Sequence, residues 1–192
     1  MFDPDTAPLT TVFLLSPARC GSVRARQLAE GQMKTPLAAQ LNSASGAPIG
    51  DVFAFLSSLY FRGKLTYARA FARPPRHLPG VFVITPGRGL VAAAEPITRE
   101  HMRAFADVEV HHANQAFTGP LAEDARKLVA EAREDTAFVL LGSIASAKYL
   151  SPLTAACGER LLFPSEFVGR GDMSRGGLLL RAAEDAVELE YR

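Results

Sequence analysis

Three short apolar runs punctuate the chain: Thr11–Leu15 (TVFLL), Val81–Thr85 (VFVIT) and Ala137–Leu141 (AFVLL). Each is continuous, and none alternates with polar positions. That is the pattern of a strand buried on both faces, as in a parallel or mixed sheet covered by helices. Two weaker runs follow, RLLFP at 160–164 and VELEY at 187–191. The second alternates apolar and acidic positions and reads as an edge strand.

Helical patterns fill the gaps. Ser22–Met33 follows the first strand, and a second piece starts near Pro36, a good first-turn residue. Asp51–Phe71 carries Val52, Phe55, Leu56, Leu59 and Tyr60 at helical spacing and stops at the Pro-rich RPPRHLPG of 73–80. Further helices are expected at Thr98–Ala106, at Pro120–Ala132 with Leu121, Ala125, Leu128 and Val129 on one face, and at Ser146–Cys157. Strands alternating with helices predict an α/β fold: a mixed, largely parallel sheet flanked by helices, with a ligand crevice at the strand carboxyl ends. FVGRGDMSRGG at 167–177 holds four glycines. It reads as a loop, because each Gly inside a helix or strand costs about 0.5–1 kcal/mol relative to Ala.

Length and composition narrow the class. The 192 residues suit a single domain, 1–192, with a flexible N-terminus over 1–10. The chain is 48% hydrophobic and 21% charged with a net charge of +1, so any attraction for anions must come from local clustering. Two distant cysteines, Cys20 and Cys157, form neither a disulfide framework nor a zinc pattern. The acidic, Pro-containing start is unlike a signal peptide, and no apolar run nears the roughly 18 residues of a membrane span. A cytoplasmic protein without membrane contact is expected.

The residues after the strands carry the candidate chemistry. SPARCGS (16–22) follows the first, TPGRGL (85–90) the second and GSIAS (142–146) the third. All three are rich in small residues and hydroxyls, and parallel strands would bring them together. Turn and capping chemistry accounts for Gly and Ser at such junctions. Together with nearby arginines, the three also fit an anion site, since helix N-termini present free N–H groups. On that reading Arg19, Arg88, Arg170 and Arg175 hold phosphates, Ser16, Ser143 and Ser174 donate hydrogen bonds, Lys148 adds a cation, and Gly21, Gly142 and Gly171 supply backbone.

The ordered motifs resemble the YaaA family of peroxide-stress-associated proteins. They are LSPARC (15–20), GDVF (50–53), GRGLVAAAEP (87–96), the segment Gly142–Tyr149, and GRGDMSR (169–175). The resemblance implies a mixed α/β fold with a basic, DNA-binding cleft and a role in stress. Ser16, Ala18, Arg19, Tyr149, Met173, Ser174 and Arg175 would line that cleft.

Catalytic candidates are Cys20 and Tyr149. Cys20 sits at a helix start beside Arg19 and near Arg24, a setting able to lower a thiol pKa, though a small buried residue is the plainer reading. Tyr149 could donate a proton at the strand edge. His111 and His112 lack partners at metal spacing, and GRGLVA leaves no room before Pro96 for the helix of a dinucleotide fold, so neither metal nor cofactor is expected. Arg62, Lys64 and Arg69 share one helix and could extend a basic face. The expected function is binding of nucleic acid or a nucleotide-like anion in a basic cleft. The alternatives are an enzyme (hydrolase, lyase or transferase) acting on a nucleobase, nucleoside or small phosphorylated compound there, or a non-catalytic interaction protein.

Overall fold

The computed structural model describes residues 10–192, so nearly all of the segment expected to be flexible lies outside the described residues. In chain order the elements are β1 (Thr11–Leu15), α1 (Val23–Ala29), α2 (Pro36–Asn42), β2 (Ala47–Pro48), α3 (Ile49–Phe71), β3 (Val81–Thr85), β4 (Gly89–Ala92), β5 (Pro96–Ile97), α4 (Arg99–Ala106), α5 (Gln115–Glu131), β6 (Ala137–Leu141), α6 (Ala147–Cys157), β7 (Leu161–Leu162) and α7 (Asp172–Glu184). The main sheet has the order β4-β3-β1-β6-β7. β1 pairs in parallel with β3 and β6, β6 with β7, and β4 closes one edge antiparallel to β3. β2 and β5 form a separate small ribbon.

The three apolar runs are strands over their predicted bounds. β1 and β6 are buried along their whole length. Phe13, Leu15, Val83, Val139 and Leu141 face one core, closed by α1 to α4 and α7. Val12, Leu14, Ile84, Phe138 and Leu140 face the other, closed by α5 and α6. Two apolar faces require the unbroken hydrophobic runs that announced these strands.

Capping side chains set several helix starts. Ser22, Thr35 and Asn114 each accept a hydrogen bond from a backbone N–H in the following turn, contacts worth about 1 kcal/mol apiece. Capped by Asn114, α5 starts at Gln115, five residues before the expected Pro120, which is instead carried inside the helix. α1 ends at Ala29, short of Met33, and the chain turns at Gly31 with φ +74°. Residues 85–90 are the tip of the β3–β4 hairpin, where Gly87 and Gly89 take positive φ. GRGLVA therefore continues as a strand. Of 160–164 only Leu161–Leu162 is strand. The expected edge strand at 187–191 is absent: the segment forms a single β-bridge, Pro164 to Tyr191, because the β7 region offers so short a stretch to pair with, and it is held otherwise by the Arg73–Glu188 ion pair and the Tyr67 hydroxyl.

The largest correction concerns 167–177. From Asp172 this segment is helix, with Gly176 and Gly177 inside α7. A Cβ on Gly63 of α3 would stand 2.5 Å from the Gly176 carbonyl oxygen, and one on Gly176 would stand 2.9 Å from the Tyr60 Cα. The two helices meet backbone to backbone, which only glycine permits. Packing gained at this crossing offsets the poor helix propensity. Among the described residues no helix is long and apolar enough to cross a membrane.

Gly63→Ala is expected to lower stability by about 1–3 kcal/mol through overpacking. Gly119→Ala in α5, where a Cβ meets only Gln115 at 3.7 Å, is expected to raise it by about 0.5–1 kcal/mol. Urea unfolding of the two variants beside the wild type checks both signs.

Candidate functional site

β1 and β6 are neighbours in the sheet, and their exit loops leave toward opposite faces. β1 leads to α1, whose Ala25 and Leu28 pack in one core, while β6 leads to α6, whose Leu153 and Cys157 pack in the other. This divergence is the switch point at which open α/β sheets place ligands. Ser16 and Gly142 are the first residues beyond the two strands. Ser16 N–H donates to the Leu141 carbonyl at 3.1 Å. A Cβ on Gly142 would lie 2.9 Å from Ser16 Cβ and 3.1 Å from its Oγ, so glycine keeps the serine side chain unobstructed there.

Two buried cations stand behind these residues. Lys64 of α3 is 1% exposed. Its Nζ donates to the Ser16 carbonyl at 2.6 Å and lies 2.8 Å from Ser16 Oγ. The ring centroids of Tyr60 and Phe61 lie 4.5 and 4.8 Å away. Among the described residues Lys64 makes no ion pair. Burial pushes its ammonium down to about 7, and the Asp172 charge opposes this only in part.

Arg175 of α7 is also buried. Its Nη2 and Nε donate to the Phe167 carbonyl at 2.9 and 3.3 Å, and Nη1 reaches the Gly142 carbonyl at 3.5 Å. Among the described residues its one carboxylate contact is long, 3.7 Å to the exposed Asp172. The Tyr60 hydroxyl is sealed from solvent without a hydrogen bond of good geometry. Arg175 approaches it as a poorly aligned donor, and burial pushes the phenol up to about 12.

Tyr149 and Cys20 complete the neighbourhood. Both are buried. Burial raises the Tyr149 phenol, and the charges of Tyr60, Asp172 and Cys20 add to the shift. The Cys20 thiol is pushed up to about 12 by burial and contacts the Ala18 carbonyl at 3.5 Å. The expected lowering by nearby arginines is reversed: Arg19 is exposed, and Arg24 stacks on Phe55 at 4.2 Å.

In front of Cys20 and Tyr149 lies a cavity of about 610 Å³, lined by residues 17–21, Pro86, residues 105–110, Lys148 and Tyr149. Its charges are mixed, with Arg19 and Lys148 opposed by Asp107 and Glu109.

The fold thus brings Ser16, Arg19, Cys20, Gly21, Gly142, Lys148, Tyr149 and Arg175 to one sheet edge, with Ser143 half-buried beside them. Gly21 needs no special conformation there, since a Cβ would meet nothing. Arg88 is drawn off to Glu95 at 3.0 Å on the hairpin. Arg170 is exposed and donates to Ser174 Oγ at 3.3 Å, away from the cavity lining. Gly171 precedes α7 without a side-chain cap. Lys64 corrects the basic-face expectation, since it points inward while Arg69 pairs with Asp51 at 3.0 Å on the surface. The rings of His111 and His112 stack 4.1 Å apart, and among the described residues no cluster of three metal-ligating side chains occurs.

Sequence reasoning left Lys64 and Tyr60 out of the site. The signal was present: Lys64 sits four residues after Tyr60 and three before Tyr67, on the apolar stripe of α3. A lysine on such a stripe is buried or turned aside, and this one is buried.

Comparisons with protein-family models, curated proteins and solved structures give no match to this chain.

The Lys64 shift predicts a pH dependence. The unfolded chain keeps this lysine protonated to about 10.5 while the folded chain releases the proton near 7. Stability therefore rises with pH above 7, by up to about 1.4 kcal/mol per unit. The rise holds until about pH 9, where the raised thiols and phenols begin to oppose it. Urea unfolding at intervals from pH 6 to 9 should show this rise in the wild type and its loss in Lys64→Met.

Proposed function

We propose that the crevice between the carboxyl ends of β1 and β6 binds a small anionic, nucleotide-like ligand. The observation that carries the reading is the buried Arg175, a permanent cation at this seam. Among the described residues its one carboxylate contact is the long one to the exposed Asp172. Buried charges are ordinarily paired. An anionic group seated beside Ser16 and Gly142 supplies the missing counter-charge.

The cavity in front fits the remainder of such a ligand. Its volume of about 610 Å³ lies within the ordinary range of small-molecule sites, roughly 300–1,000 Å³. The likeness of LSPARC and GRGDMSR to the YaaA family supports an anion-binding role for this edge. Small-ligand binding is favoured over duplex DNA by the walls. Asp107 and Glu109 share the cavity with Arg19 and Lys148, and those carboxylates repel a phosphate backbone.

Calorimetry with nucleoside mono-, di- and triphosphates is expected to show saturable uptake at one equivalent. The double variant Arg19→Ala/Lys148→Ala removes the exposed Arg19 cation and the half-buried Lys148, whose ammonium lies 5.1 Å from the Tyr149 ring. It should weaken the tightest of these ligands by about tenfold or more, with an unchanged melting temperature. Absence of nucleotide uptake, with a labelled duplex bound in a steeply salt-dependent way, would replace this reading with the nucleic-acid one.

A further inference from the structure

We propose that Ser16 and Lys64 form a nucleophile–base dyad that cleaves an acyl ester of the anionic compound held in the crevice. The proposal rests on the crevice being a ligand site and adds a reaction to it. Three geometric observations carry it. Ser16 Oγ and Lys64 Nζ are 2.8 Å apart, within the range required of a nucleophile and its base. Nζ is held in place by a third group, the Ser16 carbonyl at 2.6 Å, and by the rings of Tyr60 and Phe61. Ser16 stands at the sheet's switch point, one residue before the cavity lining begins at Pro17, and faces a glycine whose missing side chain leaves room at Oγ.

The amine is suited to the task because its surroundings favour the uncharged form near neutrality. A neutral Nζ donates one hydrogen to the Ser16 carbonyl and accepts the hydroxyl proton on its lone pair. As that proton moves to Nζ, Oγ bonds to the ester carbonyl carbon. The tetrahedral intermediate then collapses, the bond to the leaving oxygen breaks, and Nζ returns the proton to the departing alkoxide. Water, deprotonated by the same amine, attacks the acyl-serine and releases a carboxylic acid with Ser16 restored. Arg175, anchored on the Phe167 carbonyl at 2.9 Å, brings a permanent cation to the Gly142 carbonyl at 3.5 Å, next to Ser16. A lysine serving only as a strut between α3 and β1 would share these contacts, but it would not make Ser16 reactive.

The intact protein is incubated with p-nitrophenyl acetate and, separately, with an alkyl fluorophosphonate, and adducts are located by peptide mass mapping. One equivalent of adduct on Ser16 is expected. Its rate should climb as pH passes through about 7 and level off above, following release of the Lys64 proton. Ser16→Ala should take no adduct there, and Lys64→Met should slow labelling by about a hundredfold or more. A wild type unlabelled at Ser16, a rate with no inflection near neutrality, or labelling indifferent to Lys64→Met overturns the dyad. If Lys64→Met does not fold, the wild-type pH profile decides. Nucleotide calorimetry on the wild type separates the two readings. Uptake without acylation ends the dyad alone, whereas acylation without uptake ends the nucleotide reading alone.

Discussion

Helices α3 and α7 touch backbone to backbone at Gly63 and Gly176, and both buried cations hang on that contact. Lys64 follows Gly63 directly, and Arg175 directly precedes Gly176. Any side chain at either glycine would force the helices apart, because the nearest atoms are main chain and cannot swing away. The crossing fixes how far each cation reaches: Lys64 to the end of β1, Arg175 to the residue after β6. One packing constraint therefore sets the register of two chemical groups from opposite ends of the sequence.

The sheet supplies the other half of the arrangement. β1 and β6 are fully buried and diverge to opposite faces, leaving the first residues beyond them at the seam. Ser16 and Gly142 occupy that seam, and the cations arrive from behind. Arg175 thus holds a permanent positive charge at an edge that α/β sheets leave open. The exposed arginines around this edge contribute less, because several are already engaged: Arg88 with Glu95, Arg170 with Ser174, and Arg24 of α1 with Phe55.

What the sequence disclosed follows from what is local. β1, β3 and β6 were legible to the residue because burial on two faces leaves an uninterrupted apolar run. Helix α7 was hidden because its glycines are unfavourable in any local window, and the partner that makes them useful lies more than a hundred residues away. The Val187–Tyr191 alternation misled for the converse reason: a strand pattern needs a partner, and only a two-residue strand, β7, lies at that edge. Ser16, Gly142, Tyr149 and Arg175, which the fold brings to one edge, were singled out from their place after strands or in a glycine-rich motif. Lys64 was assigned to the surface from its charge, although its position on the α3 stripe argued for the interior.

Desolvation shifts four titratable groups of this neighbourhood, Cys20, Tyr60, Lys64 and Tyr149, but its sign divides them. It disfavours the charged form, so it makes acids weaker and bases more easily deprotonated. Cys20, Tyr60 and Tyr149 are all moved away from ionisation by it and become poorer nucleophiles or proton donors at neutral pH. Lys64, in the same dry surroundings, moves the other way, toward an amine with an available lone pair. The cysteine that looked reactive beside arginines is thereby quieted, and the lysine that looked like surface charge becomes the group able to exchange a proton near pH 7. A single physical cause thus lowers one pKa at this edge and raises three others.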